Sequence, residues 1–322
     1  MTGTATSSSM NSTSKSPRTP RGTSGAKQSF GLASFLVYLF VGAFALMCLY
    51  PFALVIAGSF TTKAYSTLHG FTLWPGRAGL TTAAYESLFV NMTFIKNGYK
   101  VTLFTTVVGT LLSLFTNSMM GFVLSRKQLK GRRVINFYVL FTMLFSGGMV
   151  PWYIINIRYL GFMVDTIWAL IIPMLAGPWN IFLFRNYFNS VPDALYESAR
   201  IDGAGDFHIY SGIYMRLSAP VLATVTLFTA LGFWNDWWLG MMLIKDHTEL
   251  YPLQMLLRNI ISNLQFLQTM ESSPQVQMLM ASIPSDSVRM ALVIVTTGPI
   301  LLLYPFVQRY FVKGIMVGAV KG

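Results

Sequence analysis

PDALYESARIDGAGDFHIYSGIYMRLSAP, residues Pro192–Pro220, lies between two apolar runs that are each long enough to cross a bilayer. It is polar where its neighbours are not: Asp193, Glu197, Arg200, Asp202, Asp206 and Arg216 all fall within it. The pattern predicts two short helices broken at Asp202-Gly203-Ala204-Gly205, because closely spaced glycines interrupt a helical run. Ser190 with Asp193 has the form of a capping box, and Pro192 suits a first helical turn. Such a loop on a membrane protein is either a connector or a docking surface.

Composition supplies the membrane. Of 322 residues, 53% are hydrophobic and 11% charged, whereas a soluble domain carries about 25% charged residues. The net charge of +12 would suggest nucleic acid in a soluble protein, but these cations cluster between apolar runs and report topology instead. Nor does the helix–turn–helix look of 192–217 imply nucleic acid. It sets Arg200 and Arg216 against Asp193, Glu197, Asp202 and Asp206, a poor match for phosphate. Cys48, the single cysteine, sits inside the first apolar run, so no intrachain disulfide can form. His69, His208 and His247 are scattered singly and read as solvated or capping residues.

Residues 1–29 are rich in Ser, Thr, Gly and Pro, carry Lys15, Arg18, Arg21 and Lys27, and contain no acid. They are expected to form a disordered, basic, cytoplasmic tail. The following run is far longer than the roughly 7–15 residues of a signal-peptide core, so 30–60 is expected to be an uncleaved first transmembrane helix. Crossing about 30 Å of hydrocarbon takes roughly 20 residues. Six runs qualify: Phe35–Ser59, Tyr99–Leu124, Val134–Ile154, Asp165–Phe184, Ala219–Leu239 and Met290–Phe311. The expected architecture is therefore an all-α integral membrane protein. An outer loop over 61–97 precedes a transmembrane domain over 98–311, which contains the loop 192–217 and an outer loop over 240–289. A cytoplasmic tail, 312–322, follows. Pro51, Ser146-Gly147-Gly148, Pro173 and Gly177-Pro178 predict kinks, tolerable only where neighbouring helices or water satisfy the freed backbone groups.

Orientation follows from cations in short loops. Ser125–Arg133 holds Arg126, Lys127, Lys130, Arg132 and Arg133 without an acid, which places it in the cytoplasm. Six crossings then return Arg309, Lys313 and Lys321 to the same side, so both termini and the loop 192–217 are expected there. On the outer side, Leu253, Leu256, Leu257, Ile260, Ile261, Leu264 and Leu267 recur at helical spacing over Tyr251–Met270. This predicts an amphipathic helix that lies at the membrane surface, meets an external partner, or does both.

Chemistry is sparse. No GxxxxGK[ST], GxSxG or HExxH occurs, and neither a catalytic nor a metal-binding set can be assigned. One acid stands out: Asp236, in Trp234-Asn235-Asp236-Trp237-Trp238 at the outer end of the fifth run. An ionisable group there marks a candidate functional site. Trp234, Asn235 and Asp236 form the candidate substrate path, with a ring to stack on a sugar and polar groups to take its hydroxyls. Helix packing is the competing role for Asn235 and Asp236. Trp237 and Trp238 read as interfacial anchors.

Glu197-Ser198-Ala199, then Gly203, then Ile213 resembles the EAA loop of ABC importer permeases, EAA-x3-G-x9-I-x-LP. Ser198 replaces the second position's Ala, and Met215-Arg216 stands where the pattern has Leu-Pro. Ser190-Val191-Pro192 and Ile201-Asp202-Gly203-Ala204 are similar to the carbohydrate-uptake, maltose-permease-like branch. So are Phe145-Ser146-Gly147-Gly148-Met149-Val150-Pro151, Trp234-Asn235, Gln308-Arg309-Tyr310-Phe311-Val312-Lys313-Gly314 and Val320-Lys321-Gly322. Within that branch the pattern looks most like permeases for oligo- and polysaccharides, of the lipo-oligosaccharide and alginate type. The resemblance implies a type I importer transmembrane domain whose coupling helix, carrying Glu197, Ser198, Ala199, Asp202, Gly203 and Ile213, sits in a cleft of an ATPase subunit.

It further implies an ABC ATPase dimer, a second homologous permease and an extracytoplasmic sugar-binding protein as partners, in the cytoplasmic membrane of a bacterium, with contacts to membrane lipid. ATP and Mg would be bound on the ATPase subunits and no cofactor by this chain, which would be no enzyme itself. Two rivals remain: a membrane-embedded enzyme of lipid-linked glycan metabolism, and an ion-coupled secondary transporter.

Overall fold

The computed structural model describes residues 32–89, 92–159, 161–269 and 286–301. The tails 1–29 and 312–322, and the end of the sixth apolar run, lie outside the described residues. Among those described there is no strand; one isolated bridge joins Thr61 to Leu80. In chain order the principal helices are α1 (Leu32–Ser59), α2 (Met92–Ser125), α3 (Arg132–Leu144), α4 (Met149–Arg158) and α5 (Pro178–Asn189). Then come α6 (Asp193–Ile201), α7 (Asp206–Leu217), α8 (Ala219–Trp234), α9 (Trp238–Leu243), α10 (Leu253–Thr269) and α11 over 286–301.

The chain divides into two units, Met1–Tyr50 and Pro51–Gly322. In the first, the described residues from Leu32 are helical, and the side chains of 34–50 are exposed. They are apolar on every side, as a lipid-facing helix requires.

The second unit is built around α2, against which α5 and α8 pack most extensively. The 34 residues of α2 extend about 50 Å at the usual helical rise. Its buried stripe is small and polar: Thr102, Thr105, Gly109, Ser113, Asn117 and Gly121. Small side chains let helix backbones approach closely within a membrane. A Cβ on Gly121 would stand 2.6 Å from Phe184 Cβ and 3.0 Å from Arg185 N, so α5 crosses α2 there almost in backbone contact.

Among the described residues, only α1 and α2 are long and apolar enough, taken singly, to cross a membrane. Two of the other expected spans are bent helix pairs, and the fifth begins at a bend with α7 of the preceding loop. Val134–Ile154 is not one kinked helix: α3 and α4 meet at 114° across Phe145–Gly148, where Gly148 takes φ +84°. The fourth run begins as short 3-10 turns that meet α5 at 48°, and α7 meets α8 at 85°. The fifth run also stops early, since α8 ends at Trp234 and the chain restarts as α9 at Trp238.

The break before α5 shows how such interruptions are tolerated. Asn117 Nδ2 donates to the Leu175 carbonyl (2.9 Å), and the Gly177 N–H donates to Asn117 Oδ1 (2.9 Å). Ser113 Oγ also donates to Leu175 O, at 3.0 Å. Side chains of α2 thus pair the backbone groups that the break leaves free, as a low-dielectric setting demands.

Candidate functional site

The loop 192–217 forms the two expected helices, α6 and α7, separated at Asp202–Gly205. The capping-box expectation fails. Ser190 is the C-cap of α5, with its hydroxyl donating back to Tyr187 O at 2.7 Å, and Pro192 occupies the α6 N-cap position. A helix that runs to Asn189 uses Ser190 as its own terminator, so the serine is not free to start the next one. At the other end α6 closes in a Schellman motif: Gly203 N–H bonds to Arg200 O (3.1 Å) and Ala204 N–H to Ala199 O (2.9 Å). That motif needs a residue in the left-handed region, and Gly203 has φ +84°.

α6 has two unlike faces. Tyr196 and Ala199 turn inward and pack against an aromatic cluster that includes Phe122, Phe188, Tyr210 and Tyr214. Arg126 fastens them: its guanidinium lies 4.9 Å from the Tyr196 ring, 4.6 Å from Tyr214 and 4.9 Å from Phe122, and donates to Tyr214 Oη at 2.9 Å. Lys127 Nζ meets Asp193 Oδ2 at 2.7 Å. That hydrogen bond and charge hold the Asp193 carboxyl below the usual carboxylate range. Across the break, Tyr196 Oη donates to Asp206 Oδ1 at 2.7 Å.

The outer face carries Ala194, Leu195, Glu197, Ser198 and Ile201, all exposed, and Ile201 is 86% exposed. Glu197 has no hydrogen bond or ion pair among the described residues. Ser198 donates to Leu195 O, and Asp202 is the C-cap. Ile213 lies apart from that face. It sits in a π-helical turn over Tyr210–Tyr214, half-buried against the aromatic cluster, where the widened turn directs Tyr210 and Tyr214 inward. Of the sequence-selected residues, then, Glu197 and Ser198 share a free surface, Asp202 and Gly203 shape its end, and Ile213 anchors α7.

The candidate substrate path is divided. Trp234 is buried, its Nε1 donating to Thr296 O at 3.0 Å. It lines a groove of about 660 Å³ bounded by α2, α8 and α11. Asn235 and Asp236 do not line that groove. Asn235 Nδ2 donates to Leu231 O (3.0 Å), and Asp236 Oδ1 accepts from Leu239 N–H (3.5 Å), so each bonds locally around the α8–α9 break. Trp237 lies under the Arg258 guanidinium at 3.9 Å, and Trp238 packs against Trp152 with ring centroids 4.4 Å apart.

The groove also takes in Lys96 and Lys100, one turn apart on α2, and Thr106 and Thr110, whose hydroxyls are buried without a partner among the described residues. The sequence reading missed these and the clamping role of Arg126, which counted there only as a topology charge. An i,i+4 aromatic–arginine pair, Phe122 and Arg126, was the available signal.

Residues 118–317 match the family described as binding-protein-dependent transport system inner membrane component. The chain belongs to this family. It is a permease subunit of an ABC importer and a component of the inner membrane. Protein LplC of Bacillus subtilis is 38% identical over 284 residues, covering 88% of this chain and 93% of the relative. The polygalacturonan/rhamnogalacturonan transport system permease protein YtcP, also of Bacillus subtilis, is 39% identical over 296 residues, covering 90% and 99%. Among solved structures, a chain of a bacterial ABC transporter involved in the import of the acidic polysaccharide alginate superposes with a TM-score of 0.74. It has 31% identity and covers 91% of the permease and 100% of that chain. These relatives favour neither the membrane-enzyme nor the ion-coupled reading.

Proposed function

We propose that the permease imports an acidic oligo- or polysaccharide, driven by ATP hydrolysis on a separate ATPase dimer that docks on α6. The free outer face of α6 carries this reading. A helix clamped to the body by Arg126 and Tyr196 still exposes Leu195, Ile201 and an unpaired Glu197. Small residues Ala194 and Ser198 between them suit a helix laid in a partner's groove. In this reading the chain binds no cofactor, and ATP and Mg belong to the ATPase subunits. A second, homologous permease and an extracytoplasmic sugar-binding protein complete the importer. Closure of the ATPase dimer moves α6, the bent spans reorient and the path opens outward. Six crossings with both termini cytoplasmic place α6 on the ATPase side.

Docking is tested with Glu197→Lys and Gly203→Asp in the assembled complex. Glu197→Lys reverses a charge that has no partner among the described residues, and Gly203→Asp puts a Cβ at φ +84°, which strains the cap by about 1–2 kcal/mol. Both are expected to lower sugar uptake and binding-protein-stimulated ATPase activity together; wild-type uptake in both removes the docking reading.

The substrate class rests on the named relatives, which handle polygalacturonan and alginate, and on Lys96 and Lys100 at the α2 N-terminal end of the groove. Lys96→Gln with Lys100→Gln is expected to slow uptake of an oligogalacturonate by about ten-fold, the loss of one or two charge-assisted contacts, and to spare a neutral oligosaccharide if one is carried. Equal rates for wild type and variant with the oligogalacturonate would remove the acidic assignment and leave the docking reading intact.

A further inference from the structure

A second cavity lies away from α6's free face and from the groove. It has a volume of about 700 Å³ and is lined by Lys127, Arg132, Arg133, Asn136 and Arg185 with no carboxylate among its lining residues. We propose that it binds an anionic phospholipid whose head group carries both a phosphate and a hydroxyl, of the phosphatidylglycerol type.

Four cationic side chains from the α2–α3 turn, the start of α3 and α5 line one small space, and like charges gathered there repel unless an anion joins them. Two are already engaged in part: Lys127 with Asp193 at 2.7 Å, and Arg132 Nε with Leu124 O at 2.8 Å. An arginine carries five N–H donors, so Arg132 keeps others to offer. Arg185 Nε is buried with no acceptor among the described residues. Beside it the need is opposite: Asn136 Nδ2 donates to Arg132 O at 2.7 Å, while Asn136 Oδ1 is buried with no donor among the described residues. Buried polar atoms are costly when unpaired. One ligand relieves both if it brings anionic oxygens for the arginines and an O–H for the asparagine, which describes a phosphoglycerol head group.

The surroundings choose lipid over free phosphate. Along α3 from the cavity, Val134 is 71% exposed, Phe137 67% and Phe141 44%. Phe137 and Phe141 stand one above the other with ring centroids 6.2 Å apart. A head group in the cavity sets its acyl chains along this apolar strip, which inorganic phosphate would leave unused. Basic pockets at the polar ends of membrane helices hold anionic head groups by this combination. The inference needs neither the ATPase-docking nor the substrate reading, although Lys127 links the cavity to α6 through Asp193.

The test uses the assembled importer purified in detergent, with phosphatidylglycerol, phosphatidylcholine and inorganic phosphate added in separate arms and bound lipid counted by native mass spectrometry. Phosphatidylglycerol is expected to be retained over phosphatidylcholine. Each cation removed is expected to weaken retention about five-fold, roughly 25-fold for Arg133→Gln with Arg185→Gln, whereas Arg133→Lys with Arg185→Lys keeps most of it. Equal retention of the two lipids by the wild type overturns the proposal, as does undiminished phosphatidylglycerol in the glutamine variant. Inorganic phosphate that displaces phosphatidylglycerol at equal concentration makes the cavity a free-anion site and also overturns it. If the double variant does not assemble, the wild-type lipid comparison and Arg133→Gln alone, at an exposed position, decide.

Discussion

Arg126 shows how one side chain can serve three elements. It follows directly on the C-terminal end of α2, lies against Phe122 of that helix, and reaches Tyr196 of α6 and Tyr214 of α7. Its planar group also donates to Tyr214 Oη and Ser125 Oγ. A lysine keeps the charge and loses the flat stacking surface and the fork of donors. Arg126→Lys is therefore expected to cost about 1–2 kcal/mol of local stability, concentrated where α6 meets the body. If the ATPase docks on α6 as proposed, the readout is a split: ATP hydrolysis persists while uptake per ATP falls, because a loosened α6 would transmit less of the ATPase movement. Unchanged coupling in Arg126→Lys would show that α6 is held by the aromatic packing alone.

At the scale of elements, the interrupted run before α5 stands on Asn117. Leucine has the same branched shape but provides neither bond, so Asn117→Leu orphans the Gly177 N–H and leaves Leu175 O to Ser113. Each orphaned buried group costs about 1–3 kcal/mol. The variant is expected to unfold at lower denaturant than the wild type in detergent, and Asn117→Gln to recover little because the added methylene displaces the amide. Wild-type stability in Asn117→Leu would mean that water reaches the break. The sequence marked this interruption, since Pro173 and Gly177-Pro178 are visible in it, but not its remedy, which comes from 58 and 60 residues away. The same division recurs elsewhere. The glycine break of 202–205 and the amphipathic helix over Leu253–Thr269 were legible because local spacing determines them. The 114° turn at Phe145–Gly148, the early end of α8 and the aromatic clamp were not, because packing between distant segments sets them.

For the whole molecule, orientation is the claim on which the α6 docking reading depends. α1 and α2 each qualify as a crossing helix, and the stretch 125–133, from the end of α2 into the start of α3, carries five cations without an acid. Short loops with that bias stay in the cytoplasm because moving them across the membrane is unfavourable. The loop that follows α9, with Lys245, Asp246 and Glu249, is balanced and free to cross. The single native cysteine makes the test direct. In a Cys48→Ser background, Lys130→Cys and Asp246→Cys place one thiol at each exposed site. A membrane-impermeant maleimide is expected to label Asp246→Cys in intact protoplasts, and Lys130→Cys only in inside-out vesicles. The reverse pattern would put α6 outside, away from any cytoplasmic ATPase. Labelling of both from one side would instead mean an odd number of the bent pairs fails to cross between Lys130 and Asp246. The two outcomes separate a wrong orientation from a wrong span count.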